Sequence, residues 1–249
     1  MQLRLSKSKL QVKTSLWNKT MRDLDITIES PAAELSFSPS GCGALLVDSR
    51  QPVFSTTVQR KFFSLARALE TDQQISEVVL GVNNLLVMFD PVVSSPSAIE
   101  QLIQSLWLYP DALPSTPRLL EIPMTYGGEA GEDLAMLAEH AGLSVDQWIK
   151  CHGNATYEVA CIGSMPGFAY MTGLPAELAK PRRASPRAQL AKGTVIIGGT
   201  QAGVMPCTAP SGWHAVGHTD VDLFDIQRKQ PCLLLPGDQV RFVVQEDAS

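Results

Sequence analysis

The chain has 249 residues, of which 45% are hydrophobic and 18% charged, enough apolar material for one large β-rich domain or two modest ones. Its formal net charge of -5 does not suit a nucleic-acid binder, and no apolar run approaches the roughly 20 residues that span a bilayer. Five widely spaced cysteines, Cys42, Cys151, Cys161, Cys207 and Cys232, contain no C-x-x-C pair, which fits a reducing compartment without structural zinc. The expectation is a cytoplasmic protein with no membrane partner.

The first segment carries Arg4, Lys7, Lys9, Lys13, Lys19 and Arg22 before its first acid, Asp23, and reads as a solvated extension over residues 1–30. Residues 43–49 are a short apolar strand, and residues 58–69 have helical spacing. Two apolar runs, 75–82 and 85–90, flank Asn83 and Asn84, which favour positive φ and predict a hairpin. Ser97 with Glu100 reads as a capping box opening a helix with Ile99, Leu102, Ile103, Leu106 and Trp107 on its apolar face. Strand, helix, strand, strand, helix makes a small α+β domain over residues 31–114.

Prolines at 110, 114, 117 and 123 predict a linker or an edge strand, with a domain boundary near residue 115. Gly127 and Gly128 then feed a helix that Gly142 ends, with Glu129 and Asp133 favouring its start, and Ser144 with Gln147 caps another running towards His152. Beyond Tyr157 brief β-rich pieces alternate with Gly and Pro turns, the rhythm of a closed or nearly closed barrel filling residues 115–249.

Chemistry concentrates in residues 163–219. No acid lies between Glu177 and Asp220, whereas Lys180, Arg182, Arg183, Arg187 and Lys192 all fall there, so a positive pocket for an anion is expected. The prolines of PRRASPR hold the backbone extended, and a guanidinium grips carboxylate or phosphate with two parallel bonds, which makes Arg182 and Arg187 the candidate anion ligands. Gln201 and Ser211, each beside glycine, are neutral groups suited to orienting an amide; the plainer reading is turn stabilisation. His152 and His214 are the acid–base candidates, and Phe168 is the candidate apolar contact. GxGxxG, the P-loop and the nucleophile elbow are all missing, and His214 and His218 stand among glycines that argue against a helical metal pair, so no metal site is expected.

The ordered set YGGE-x-G-x-D-L, H-x4-Y-x-V, PGF-x-Y, PRR-x-x-PR, Q-x-G and PGD-x-V-x-F resembles the family of B-type 5-oxoprolinase subunits, also called allophanate hydrolase subunit 1 or KipI-like proteins. The likeness spans roughly residues 31–244. It implies an α+β amino-terminal domain followed by a mainly-β cyclophilin-like barrel. It also implies two partners: a cyclophilin-like sister, the C-type 5-oxoprolinase subunit or allophanate hydrolase subunit 2, and a third 5-oxoprolinase subunit. The implied activity is opening of 5-oxoproline to glutamate with ATP as co-substrate. Two alternatives come with the resemblance: inhibition of a histidine kinase by protein binding, through an exposed patch with Phe168, Tyr170 and Met171, and an amidolyase or carboxyltransferase-like subunit acting on allophanate or urea. The chain departs from the family pattern at Ser164, which replaces an aromatic, at Ala202 and Met205 in QAGVMP, and at His214 and His218 in PSGWHAVGHT. Loss of substrate-bonding hydroxyls there implies a different substrate or reduced competence.

Overall fold

A computed structural model describes residues 35–108 and 117–245. The basic extension and the expected boundary near residue 115 lie outside the described residues.

The first part is a four-stranded antiparallel sheet in the order β1-β2-β4-β3, from β1 (Ser36–Pro39), β2 (Ala44–Asp48), β3 (Ile75–Leu80) and β4 (Asn84–Phe89). Alternation decides its faces: Leu45 and Val47 of β2 and Leu85, Val87 and Phe89 of β4 are buried, while Leu46 between them is exposed. Two helices, α1 (Thr56–Glu70) and α2 (Pro96–Leu108), are joined through Phe62 and Trp107, whose ring centroids are 4.9 Å apart. The hairpin turn has Asn83 at φ 56. The expected capping box at Ser97 is displaced: α2 starts at Pro96, and the Ser95 hydroxyl accepts from the Ala98 amide at 3.2 Å. Proline at the first helical position needs no amide partner, so the preceding serine becomes the cap.

The second part is a closed barrel of seven strands, ordered β10-β7-β6-β13-β5-β12-β9. Its strands are β5 (Leu119–Tyr126), β6 (Tyr157–Ile162), β7 (Ala169–Thr172), β9 (Thr194–Gly198), β10 (Gln201–Val204), β12 (His214–His218) and β13 (Gln239–Val244). Val159, Met171, Val195, Ile197, Val204, Val216 and Phe242 fill its core, each no more than 1% exposed. Of the four prolines, Pro123 lies within β5 and Pro117 just ahead of it, while Pro110 and Pro114 lie outside the described residues. Bonds from Gln239 N to Arg118 O and from Gln245 N to Met124 O turn the even-numbered β5 groups towards β13. Pro123 faces the other side, where pairing to β12 begins only at Thr125, so its missing donor breaks no ladder bond.

The helix expected after Gly128 is split into a 3-10 turn, Glu129–Gly131, and α3 (Leu134–His140). A Cβ on Gly131 would sit 2.7 Å from the Val216 carbonyl oxygen, so the turn presses on β12 as no larger residue could. Gly142, at φ 68, follows the end of α3, and α4 (Val145–Asn154) opens with both halves of the Ser144–Gln147 capping box. A separate ribbon pairs β8 (Arg187–Leu190) with β11 (Ala209–Ser211), setting Arg187 opposite Ser211.

Candidate functional site

The PRRASPR strap is tied to the barrel by backbone bonds: Lys180 and Gly199 form an isolated bridge, and the Arg183 amide donates to Gly212 O at 2.8 Å. Its side chains then meet an acid from far earlier in the chain. Arg187 donates from both terminal nitrogens to Asp133, at 2.9 and 3.0 Å, and its Nε pairs with Glu132 at 2.6 Å. Arg183 reaches the same carboxylate at 3.0 Å, and the Ala215 amide donates to it at 2.8 Å. Burial pushes the Asp133 pKa up, but the bonds from Arg187 and Ala215 and the charges of Arg187 and Arg183 outweigh it, so the carboxyl is held below its ordinary value.

This arrangement changes what each arginine can do. The guanidinium of Arg187 uses a donor on each of its three nitrogens for Asp133 and Glu132 and is only 15% exposed, so it fixes the strap and has no free fork for an incoming anion. Arg182 makes no ion pair among the described residues and lies over the Trp213 ring, 5.6 Å from its centroid. Trp213 meets Phe168 at 5.8 Å and Tyr170 at 6.0 Å, both edge-on. Beneath it lies Gly198, where a Cβ would stand 2.6 Å from the indole. Gln201 pairs with Gly198 across the β9–β10 turn and has no side-chain hydrogen bond among the described residues. Ser211 accepts from the Trp213 amide at 3.2 Å, the turn-stabilising role.

Arg182 and Phe168 meet at the Trp213 ring, Arg187 lies opposite Ser211 and on Asp133, and His214 stands beside the same carboxylate; Gln201 is linked to them only through its backbone pairing with Gly198, on which Trp213 packs. His214 is 4% exposed, and its Nε2 lies 2.9 Å from Pro181 O, which can only accept; that nitrogen is therefore a donor. Its Nδ1 has no hydrogen-bond partner and stands 3.9 Å from Asp133. His152 is elsewhere. It is wholly buried on α4, stacked with Trp148 and Phe242, with Nδ1 2.7 Å from the Tyr126 hydroxyl. Burial lowers its pKa to about 3, so the ring is neutral at any working pH and sealed from solute.

Two expectations are corrected. Phe168 and Met171 are 4% and 0% exposed, so they do not belong to an exposed docking patch: Met171 points into the barrel and Phe168 packs under Trp213. Asp133 makes no side-chain cap for α3, because its oxygens are taken by the strap and by Ala215. Asp133 and Trp213 are the members that sequence reasoning missed; Tyr170, expected in the docking patch, packs edge-on against Trp213 instead. In sequence Asp133 is an ordinary helix-opening acid, and its contacts are all long-range. Among the described residues no group of histidine, cysteine and acid side chains could hold a metal ion.

Residues 35–234 match the family model described as carboxyltransferase domain, subdomain C and D. The chain belongs to that family. Its relatives include the B-type 5-oxoprolinase subunit of Escherichia coli O157:H7, 42% identical over 198 residues, which make up 79% of this chain and 90% of the relative. Among solved structures, the crystal structure of TTHA0988 superimposes with a TM-score of 0.71 at 29% identity, over 83% of this chain but 40% of that one. The Kluyveromyces lactis urea amidolyase gives 0.73 at 17% identity, over 88% of this chain and 15% of that one, a likeness of fold alone. In these two solved structures the carboxyltransferase fold seen here is therefore one part of a longer chain.

Proposed function

We propose that this carboxyltransferase-family chain is the B-type subunit of an ATP-dependent 5-oxoprolinase-like amidohydrolase, with a cyclophilin-like barrel, working beside a sister subunit and a third 5-oxoprolinase subunit. The observation that carries the reading is the near-complete coverage of a B-type 5-oxoprolinase subunit at 42% identity. A lactam resists hydrolysis. Transfer of the γ-phosphoryl group of ATP to the lactam oxygen makes the carbon electrophilic; water adds there, the ring nitrogen takes a proton and leaves as the amine, and a second water releases phosphate from the acyl phosphate. In this chain Arg182, steadied on Trp213, holds the substrate carboxylate, and Gln201 orients the amide. Arg187 and Asp133 are positioning residues that set the strap's height above the barrel. His214, with one nitrogen on Pro181 O and the other unpartnered, is the better placed acid–base candidate, since His152 is sealed in the core.

The test is purification of the chain with the two other subunits, followed by 5-oxoproline-dependent ATP hydrolysis. Turnover is expected with all three and absent when this chain is omitted; a complete set that hydrolyses no ATP in response to 5-oxoproline overturns the reading. Arg182→Ala in the active set is expected to raise KM about tenfold or more with a smaller change in kcat, the mark of lost carboxylate binding.

A further inference from the structure

A cleft lies away from the strap, where α1 and the edge strand β3 face the barrel loop that precedes β13. Its volume is about 870 Å³, within the range of small-molecule sites. Phe63 and Ala66 of α1, Val78 and Leu80 of β3, and Leu235 and Pro236 of the loop make it apolar. It exists because β3 pairs only with β4 among the described residues, which leaves the apolar layer between α1 and the sheet open on that side. Gly237, at φ 88, takes the left-handed turn that shapes the loop, and a Cβ there would meet the Phe63 ring at ordinary contact distance.

The charges around the cleft decide what fits it. Six charged side chains line it: Arg60, Arg67, Glu70, Arg118, Glu158 and Asp238. Four of them neutralise each other, Arg60 with Glu158 at 2.9 Å and Arg118 with Asp238 through Nε at 3.0 Å. Two remain, Arg67 and Glu70, of opposite sign and three residues apart at the carboxyl end of α1, so they are neighbours on one helix face. Neither has an ion-pair partner among the described residues. A carboxylate alone would meet Arg67 but also the Glu70 charge, and an amine alone would meet the reverse. A ligand whose carboxylate and ammonium are held on one carbon, with an apolar body, satisfies both and fills the floor.

We propose that this cleft binds a free α-amino acid with a large apolar side chain, its carboxylate on Arg67, its ammonium on Glu70 and its side chain among Phe63, Val78, Leu80 and Leu235. Because α1 and β3 form one wall and the barrel loop the other, the bound amino acid bridges the two parts of the molecule and holds them together. The proposal does not depend on the activity assigned to the strap.

The experiment is calorimetric titration of the full chain with L-leucine and L-phenylalanine, against 4-methylpentanoate and isopentylamine, which each lack one head group. Saturable binding of at least one of the two amino acids is expected, with each comparator weaker by about tenfold or more, the loss of one charge-assisted contact. Arg67→Gln and Glu70→Gln, both at exposed positions that leave the fold intact, are each expected to weaken amino-acid binding by about tenfold. No saturable binding of either amino acid, equal affinity for a comparator, or unchanged affinity in both variants overturns the proposal. Since the readout is binding by this chain alone, its failure leaves the ATP-hydrolysis test of the assembled subunits unaffected.

Discussion

Asp133 shows how much one carboxylate can organise. It is 6% exposed and receives Arg187, Arg183 and the Ala215 amide, so removing its charge leaves the inner guanidinium of Arg187 facing a neutral amide. Asp133→Asn is expected to destabilise the protein by roughly 2–3 kcal/mol, less than a fully buried pair because Arg183 is partly exposed. The pH dependence has a definite sign. A carboxyl held below its ordinary value contributes stability that is present above the unfolded pKa, about 3.9, and is lost as the pH falls through the folded one. Urea midpoints measured from pH 7 down to pH 3 should therefore fall more steeply for the natural chain than for Asp133→Asn. Equal slopes would remove Asp133 as the acid-sensitive group. Residues of this kind are poorly legible in sequence: PRRASPR announces its cations plainly, but nothing near it in the chain says that two of the three arginines are already paired.

At the scale of elements, the strap, the β8–β11 ribbon and the end of β9 form one device, in which glycine makes room and an indole fills it. Gly198 must lack a side chain because Trp213 occupies that space, and Trp213 in turn carries Arg182. Gly198→Ala is expected to push the indole outward, costing about 1–3 kcal/mol as an overpacked site and shifting Trp213 emission to longer wavelength as the ring gains solvent. Trp213→Phe as a background identifies that signal; an unshifted spectrum in Gly198→Ala would mean the ring is held from elsewhere. Most elements here are readable along the chain because their signals are local: short apolar runs mark β2 and β4, and the Ser144–Gln147 pair marks the start of α4. The misreadings have local causes too. Pro96 moves a helix start, and Gly131 splits a helix where the chain has to press against β12.

Across the whole molecule, sheet and barrel are joined by a buried amide. Gln59 of α1 is 1% exposed; its Nε2 donates to Ala160 O of β6 at 2.9 Å and to Gly81 O at 3.0 Å, and its Oε1 accepts from the Asn83 amide at 2.6 Å. One side chain thus pins the hairpin turn, the first helix and a barrel strand. Gln59→Leu fits the space but strands those backbone groups, at a cost of about 1–3 kcal/mol. Calorimetry is expected to show the single unfolding transition broaden or divide as the sheet loosens from the barrel. A sharp transition shifted by less than about 1 °C would show that the apolar contacts suffice without the amide.

Sequence alone determined the periodic elements, the β-rich second half and the family, because apolar runs, helical spacing, turn residues and ordered motifs are short-range properties written along the chain. Tertiary structure decided which charges are free. Arg187 is committed to Asp133, His152 is walled into the core, and Arg182 is left exposed over the buried Trp213 ring. The reason is physical: whether a charged group can act depends on its partners and its exposure, and both are set by residues that meet only when the barrel closes.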